Sequence, residues 1–215
     1  ASSEGYSECV ALLLKHPNIN VNHADKDGFT IIHPTTFYKE ILNGWINTIL
    51  KLPNDTKIIE WPSPGKIGDV MEGSMSEIII SQYILNEFLD HDVEKLNQVV
   101  HYLNRSSNQL RDYMDSYNEL GYVPEKTSLS LNYYFCDYVL YLLHKKLKHP
   151  EEANFYYNRS QNYIHLFHSK ELLFKPKDMF GNWKTISDVH AYHSSYAEGN
   201  PLHYRFYVPF DPEGL

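Results

Sequence analysis

Cysteine is scarce in this chain of 215 residues: Cys9 and Cys136 stand far apart, and neither belongs to a C-x-x-C pair. A structural zinc or a thioredoxin-type redox motif therefore has no support, and two buried free thiols are expected. Long apolar runs are also lacking. No stretch approaches the ~20 consecutive apolar residues that span a bilayer, so no membrane span is expected. Basic residues are outnumbered, 19 Lys and Arg against 27 Asp and Glu, for a formal charge of −8. That balance argues against a nucleic-acid partner held through its phosphates. The first residues, Ala-Ser-Ser-Glu, show no basic-then-apolar leader pattern, which leaves the compartment open.

What is present is ordinary globular material, 42% hydrophobic and 21% charged, enough for one domain with a small appendage. Tyrosine is over-represented, with 18 residues beside 10 Phe and 3 Trp. Such rings build thick helical cores and also stack on sugar rings; core packing is the default for any one of them. Twelve histidines invite a metal reading, but His190 and His193 lie in a polar loop with no third ligand evident, as solvated loop histidines would.

The pattern changes along the chain. Residues 4–15 carry Cys9, Val10, Leu12, Leu13 and Leu14 on a helical stripe, which Pro17 and Asn18 end. Gly5-Tyr-Ser-Glu-Cys-Val-Ala-Leu-Leu-Leu, Asn20-Val-Asn and Asp27-Gly-Phe-Thr-Ile-Ile-His33 together resemble the ankyrin repeat, with Ile31 in place of its usual Pro. Only about one repeat-length is present, over residues 1–33, and a single repeat builds no stable array. From Thr36 to Lys51 a helix is expected, with Phe37, Ile41, Trp45 and Ile49 about four apart. Pro53 to Gly73, which includes Trp61, reads as a long loop. Ser74 to Leu89 is expected to be a helix, with Ser74 and Glu77 spaced as a capping box. Further helices are expected from Asp92 to Leu103, from Asn108 to Glu119, from Thr127 to Leu147 and from Pro150 to about Phe167. A β-rich patch follows at 172–183, then a polar loop. Long alternating helices buried on two sides predict a mainly α fold, an α/α toroid or a helical bundle.

Several blocks over residues 36–215 resemble family 92 glycoside hydrolases. They are Asn118-Glu-Leu-Gly-Tyr-Val-Pro124, Ser130-Leu-Asn-Tyr-Tyr-Phe-Cys-Asp-Tyr138, and Arg159-Ser-Gln-Asn-Tyr163 with Leu166-Phe167. Next come Leu173-Phe-Lys-Pro-Lys177 with Gly181-Asn-Trp183, and finally Tyr196-Ala-Glu-Gly-Asn200 running through Tyr204 to Val208-Pro-Phe-Asp211. The last resembles the family's Tyr-Thr-Glu-Gly-Asn-Ala-Trp-Gln-Tyr signature and its Val-Pro-His-Asp block. The resemblance implies an inverting exo-α-mannosidase with an (α/α)6 catalytic toroid, here incomplete and with a small β patch, and an α-mannoside or N-glycan-type substrate. It also implies calcium, whose ligands in this chain are not identified. Glu198 matches the family's general acid, and Asn200, His203 and Tyr204 fall where the substrate would be bound.

Glycoside cleavage needs an acid at the leaving oxygen, and inversion also needs a base to activate water. Tyr196, Tyr204 and Phe206 are expected to desolvate Glu198 and raise its pKa. The family's Gly-Asn-Glu-Asp-x-Gly-Gln-Met-Ser-Ala-Trp base motif is not among these residues, so the chain alone is expected to turn over little or no substrate. Other departures are Asn132 for a glutamate, Met71-Glu-Gly-Ser-Met-Ser-Glu77 for a Gly-x-His-Ala-Asp stretch, and Pro201-Leu202-His203 for Ala-Trp-Gln. Two other readings stand beside the glycosidase. One is an ankyrin-type interaction protein, with a protein partner on residues 1–33 and a non-catalytic helical domain. The other is a carbohydrate-binding module.

Overall fold

In the computed structural model of the chain, the described residues are 39–52, 74–86 and 92–215. The chain falls into two units, residues 1–39 and 40–215, and all the described residues but Lys39 belong to the second. The ankyrin-like segment, Cys9 and the loop with Trp61 lie outside the described residues.

Six α-helices form among the described residues: α1 (Lys39–Ile49), α2 (Met75–Leu85), α3 (Val93–Arg105), α4 (Met114–Leu120), α5 (Thr127–Leu147) and α6 (Pro150–Ser160). The ends follow local chemistry. Asp92 caps α3 by accepting the Lys95 amide at 3.0 Å. Gly121 closes α4 at φ +78, where an added Cβ would lie 2.7 Å from His165 Nδ1. Pro150 opens α6 at its first turn, with Glu151 and Glu152 at the positive end of the helix dipole. Helix α6 stops sooner than its sequence suggested, tightening at Ser160 into a 3₁₀ turn over Gln161–His165. The helix expected from Asn108 is instead a π-helical turn, Ser106–Leu110, followed by α4.

The capping box expected at α2 does not form. Ser74 has φ +83 and makes no side-chain cap bond, and Glu77 turns into the core. The reason is a stronger partner: Arg111 reaches the Glu77 carboxylate at 2.5 Å.

One apolar cluster joins five helices. Ile46 and Ile49 of α1 meet Ile80, Tyr83 and Ile84 of α2 and Val99, Val100 and Leu103 of α3; Leu140 and Leu143 of α5 and Tyr156 of α6 complete it. Each fully buried Ile or Leu contributes about 1.5–3 kcal/mol. Helix α5 is covered nearly all round, as its lack of a polar face predicts, and it packs against α2 and α6. Cys136 is a buried free thiol, as expected, and its Sγ donates to the Ser74 carbonyl at 3.3 Å.

After α6, β1 (Phe167–His168) and β2 (Leu173–Phe174) pair antiparallel, with Phe167 opposite Phe174, and a lone bridge joins Lys177 to Trp183. The remaining residues run as turns back over α5. There Phe210 stacks on Tyr138 at 4.8 Å and on Phe135 at 6.3 Å. Among the described residues no helix is long and apolar enough to cross a membrane.

Candidate active site

The turn carrying Glu198 rests on the first turn of α5. Ser128, buried at the second position of that helix, holds it from two directions. Its amide and hydroxyl donate to the Ser195 carbonyl at 3.2 and 3.3 Å, and its hydroxyl oxygen accepts the Ala197 amide at 2.8 Å. The Tyr204 hydroxyl donates to the Ala197 carbonyl at 2.8 Å, and the Tyr196 hydroxyl to the Phe174 carbonyl at 2.6 Å. The His193 amide donates to the Gly199 carbonyl at 3.2 Å. Each of these bonds ties the backbone on either side of residue 198 and leaves the Glu198 carboxylate out of the clamp.

Glu198 itself is exposed and has φ +46, in the left-handed region. For a non-glycine residue that conformation costs of order 1–3 kcal/mol and persists only where the surroundings over-determine it. Gly199 beside it has no room for a side chain, since a Cβ there would come within 2.9 Å of the Tyr204 ring and 3.2 Å of His203 Nδ1.

Asn200, His203 and Tyr204 do gather around this turn. The buried Asn200 donates from Nδ2 to the His190 carbonyl at 2.9 Å and accepts the Leu202 and His203 amides on Oδ1 at 3.0 and 3.1 Å. His203 Nδ1 accepts the Asn200 amide at 3.3 Å, and its ring is exposed beside Tyr192. The polar atoms of Asn200 and Tyr204 thus hold the loop's own backbone. The desolvating wall expected around Glu198 is not built by the three rings proposed for it. Tyr196 points its hydroxyl at β2, Tyr204 at Ala197, and Phe206 is 75% exposed.

Elsewhere in the helical core lies a charge cluster that sequence reasoning missed. Arg159 of α6 meets Asp137 of α5 through two bonds of 2.7 Å, and Arg111 adds a third at 2.8 Å. Tyr117 of α4 donates to the same carboxylate at 2.8 Å. Arg111 continues to Glu77 of α2, which also accepts the Ser106 hydroxyl at 2.8 Å. All four charged groups are buried, and two acids balance two guanidiniums. Burial alone would raise the Asp137 carboxyl, but Arg111 and Arg159 outweigh it and hold it below the usual carboxylate range. Glu77 moves the other way: burial raises it, and Arg111 offsets this only in part. The signal was legible, since Glu77 and Asp137 are lone charges in otherwise apolar helical stretches.

Among the described residues no three of His, Cys, Asp or Glu converge to hold an ion, so the ligands of the calcium that the resemblance implies are not identified in this chain.

The model of the glycosyl hydrolase family 92 catalytic domain matches residues 27–215. The chain belongs to this family. The match begins inside the segment read as ankyrin-like. Among solved structures, a family GH92 inverting mannosidase from Bacteroides thetaiotaomicron is similar at 26% identity and a TM-score of 0.71, over 82% of this chain and 25% of that one. A GH92 α-mannosidase from the same bacterium is 25% identical with a TM-score of 0.66, over 80% and 24% of the two chains. That α-mannosidase in complex with mannoimidazole shows the same fold at 24% identity and a TM-score of 0.68, again over 80% and 24%. No curated protein matches the chain. The chain therefore spans about a quarter of the length of its solved family 92 relatives. The mainly helical fold expected of part of a family 92 toroid is borne out.

Proposed function

We propose that this chain carries the acid half of a family 92 glycosidase site, with Glu198 as the proton donor to the leaving oxygen of a terminal α-mannoside. The observation that carries the reading is the strained, clamped turn. A glutamate held at φ +46, its flanking backbone pinned by Ser128, Tyr204 and His193, has a fixed Cα–Cβ direction and an exposed side chain. A general acid needs that geometry before its pKa matters. Asn200, His203 and Tyr204 would shape the loop against which the sugar lies, with the exposed His203 ring the one nearest to solvent.

In an inverting reaction the second carboxylate activates a water on the opposite face of the sugar. None of the 215 residues matches the family's base motif. The chain by itself is therefore expected to show little or no turnover of an aryl α-mannoside. Calcium belongs to the assembled family site, and no step here runs through it.

The test is a melting-temperature series with mannose and with calcium, on the wild-type chain and on Glu198→Ala. A calcium-dependent rise with mannose, lost in the variant, supports the glycosidase reading. Steady turnover abolished by Glu198→Gln would uphold the acid and overturn the expected inactivity. A second reading, a non-catalytic helical scaffold with a protein partner, is favoured by one observation: the polar atoms of Asn200 and Tyr204 serve their own loop. Indifference to both mannose and calcium selects it.

A further inference from the structure

Two histidines meet where α5 turns into α6. His144, in the last turn of α5, is fully buried, and its ring stacks on Tyr156 at 5.3 Å. Its Nε2 lies 2.8 Å from Asn104 Oδ1, and its Nδ1 lies 3.3 Å from the Nδ1 of His149, an exposed residue at the start of α6.

The hydrogen bonds around them fix where the protons sit. Asn104 Oδ1 also accepts the Tyr156 hydroxyl at 3.0 Å. Tyr156 in turn accepts Asn108 Nδ2 at 3.0 Å. With Asn104 Oδ1 an acceptor, His144 donates from Nε2, and its Nδ1 is a lone pair. The proton between the two Nδ1 atoms then belongs to His149. The contact closes only while at least one of the two rings is neutral, because protons on both Nδ1 atoms would set N–H against N–H.

The two partners are unequally held. His144 is fixed by Tyr156 and Asn104, whereas His149 is exposed; both border a cavity of about 610 Å³ lined also by Tyr141, Lys145, Lys148 and Tyr157. The charged and titratable groups around the pair are Lys145 and Lys148 from the end of α5, Glu152 from the first turn of α6, and Tyr156. On the inner side the chain of bonds goes on: Asn108 Oδ1 accepts Arg159 at 2.8 Å, and Arg159 grips Asp137.

We propose that the His144–His149 contact is an acid-opened latch, which holds the corner between α5 and α6 shut and lets His149 swing away when both rings are protonated. Burial first, and His149 second, hold the His144 pKa below the usual histidine value, with Glu152 opposing them. The sign follows. The unfolded or opened chain takes up the proton near pH 6.5, before the closed form does, so the latch is fully held above about pH 6.5 and weakens as pH falls towards the lowered value.

Hydrogen exchange over residues 141–157 tests this in the full 215-residue chain at pH 7.5 and 5.0, after correction for the intrinsic rate. We expect opening to rise by up to about tenfold per pH unit between about pH 6.5 and the lowered His144 value, and to level off below it; the rise should vanish in His144→Gln. Equal corrected rates at both pH values in the wild type, or a pH response that survives in His144→Gln, would overturn the latch. Should His144→Gln not fold, His149→Ala on the surface decides the matter by NMR titration. The His144 midpoint should climb towards that of an ordinary histidine once its charged neighbour is gone. An unchanged midpoint counts against the proposal.

Discussion

Arg159 faces Asp137 in a parallel two-bond pair, Nε to Oδ2 and Nη2 to Oδ1, each 2.7 Å long and both groups buried. Removing one partner leaves the other charge in the core without water. Asp137→Asn is therefore expected to cost about 3–5 kcal/mol in urea unfolding.

The same carboxylate sets the acid limit. Its pKa is depressed when folded, so its contribution is present above the unfolded value of about 3.9 and is lost as pH falls through the lower folded value. Unfolding midpoints measured from pH 5 down to pH 2 should drop steeply in the wild-type chain. The drop should be shallower in Asp137→Asn, which starts lower.

Ser128→Ala removes the hydroxyl that bonds both Ser195 and Ala197. A loss of about 1–3 kcal/mol is expected from the buried groups left unpaired. The more specific sign is faster amide exchange at Ala197 than at residues elsewhere in the chain. Uniform exchange would mean that Ser128 supports the helix and not the turn.

Glu198→Asn should melt no lower than the wild type, and up to about 1 kcal/mol higher, because asparagine tolerates the left-handed backbone that strains glutamate. Stability gained at the cost of the proposed acid is the trade expected at a functional residue. A clear loss of stability would show Glu198 to be a structural residue.

Phe210→Ala empties the space between Phe135, Tyr138 and Tyr163. A cost of about 3–5 kcal/mol is expected. Limited proteolysis should then cut more readily after Arg205, since the last residues lose the Phe210 anchor that stands beside the Tyr163–Asp211 bond of 2.5 Å.

Helix existence was legible because hydrophobic spacing is a local property. Helix α5 runs over the same residues, Thr127 to Leu147, that its apolar stripe marks out. The end of the short α4 at Gly121 was legible, but the π-helical turn before it was not. That turn exists so that Ser106 and Arg111 can both reach Glu77, a partner 29 and 34 residues away in the chain. The capping box at Ser74 failed for the same reason: a long-range ion pair outweighs a local cap. At the candidate site, the motif located Glu198, Asn200, His203 and Tyr204 in one loop. Only coordinates reveal that Ser128 clamps this loop and that the aromatic wall is absent.

The neutral quartet of Glu77, Arg111, Asp137 and Arg159 draws on stretches that leave a ribosome at well-separated moments. Until Arg159 clears the exit tunnel, a nascent chain that closed its core would bury an excess negative charge. The helices made first must therefore wait, loosely associated, for the sixth to arrive. Consolidation during synthesis is then a single late event and not a gradual one.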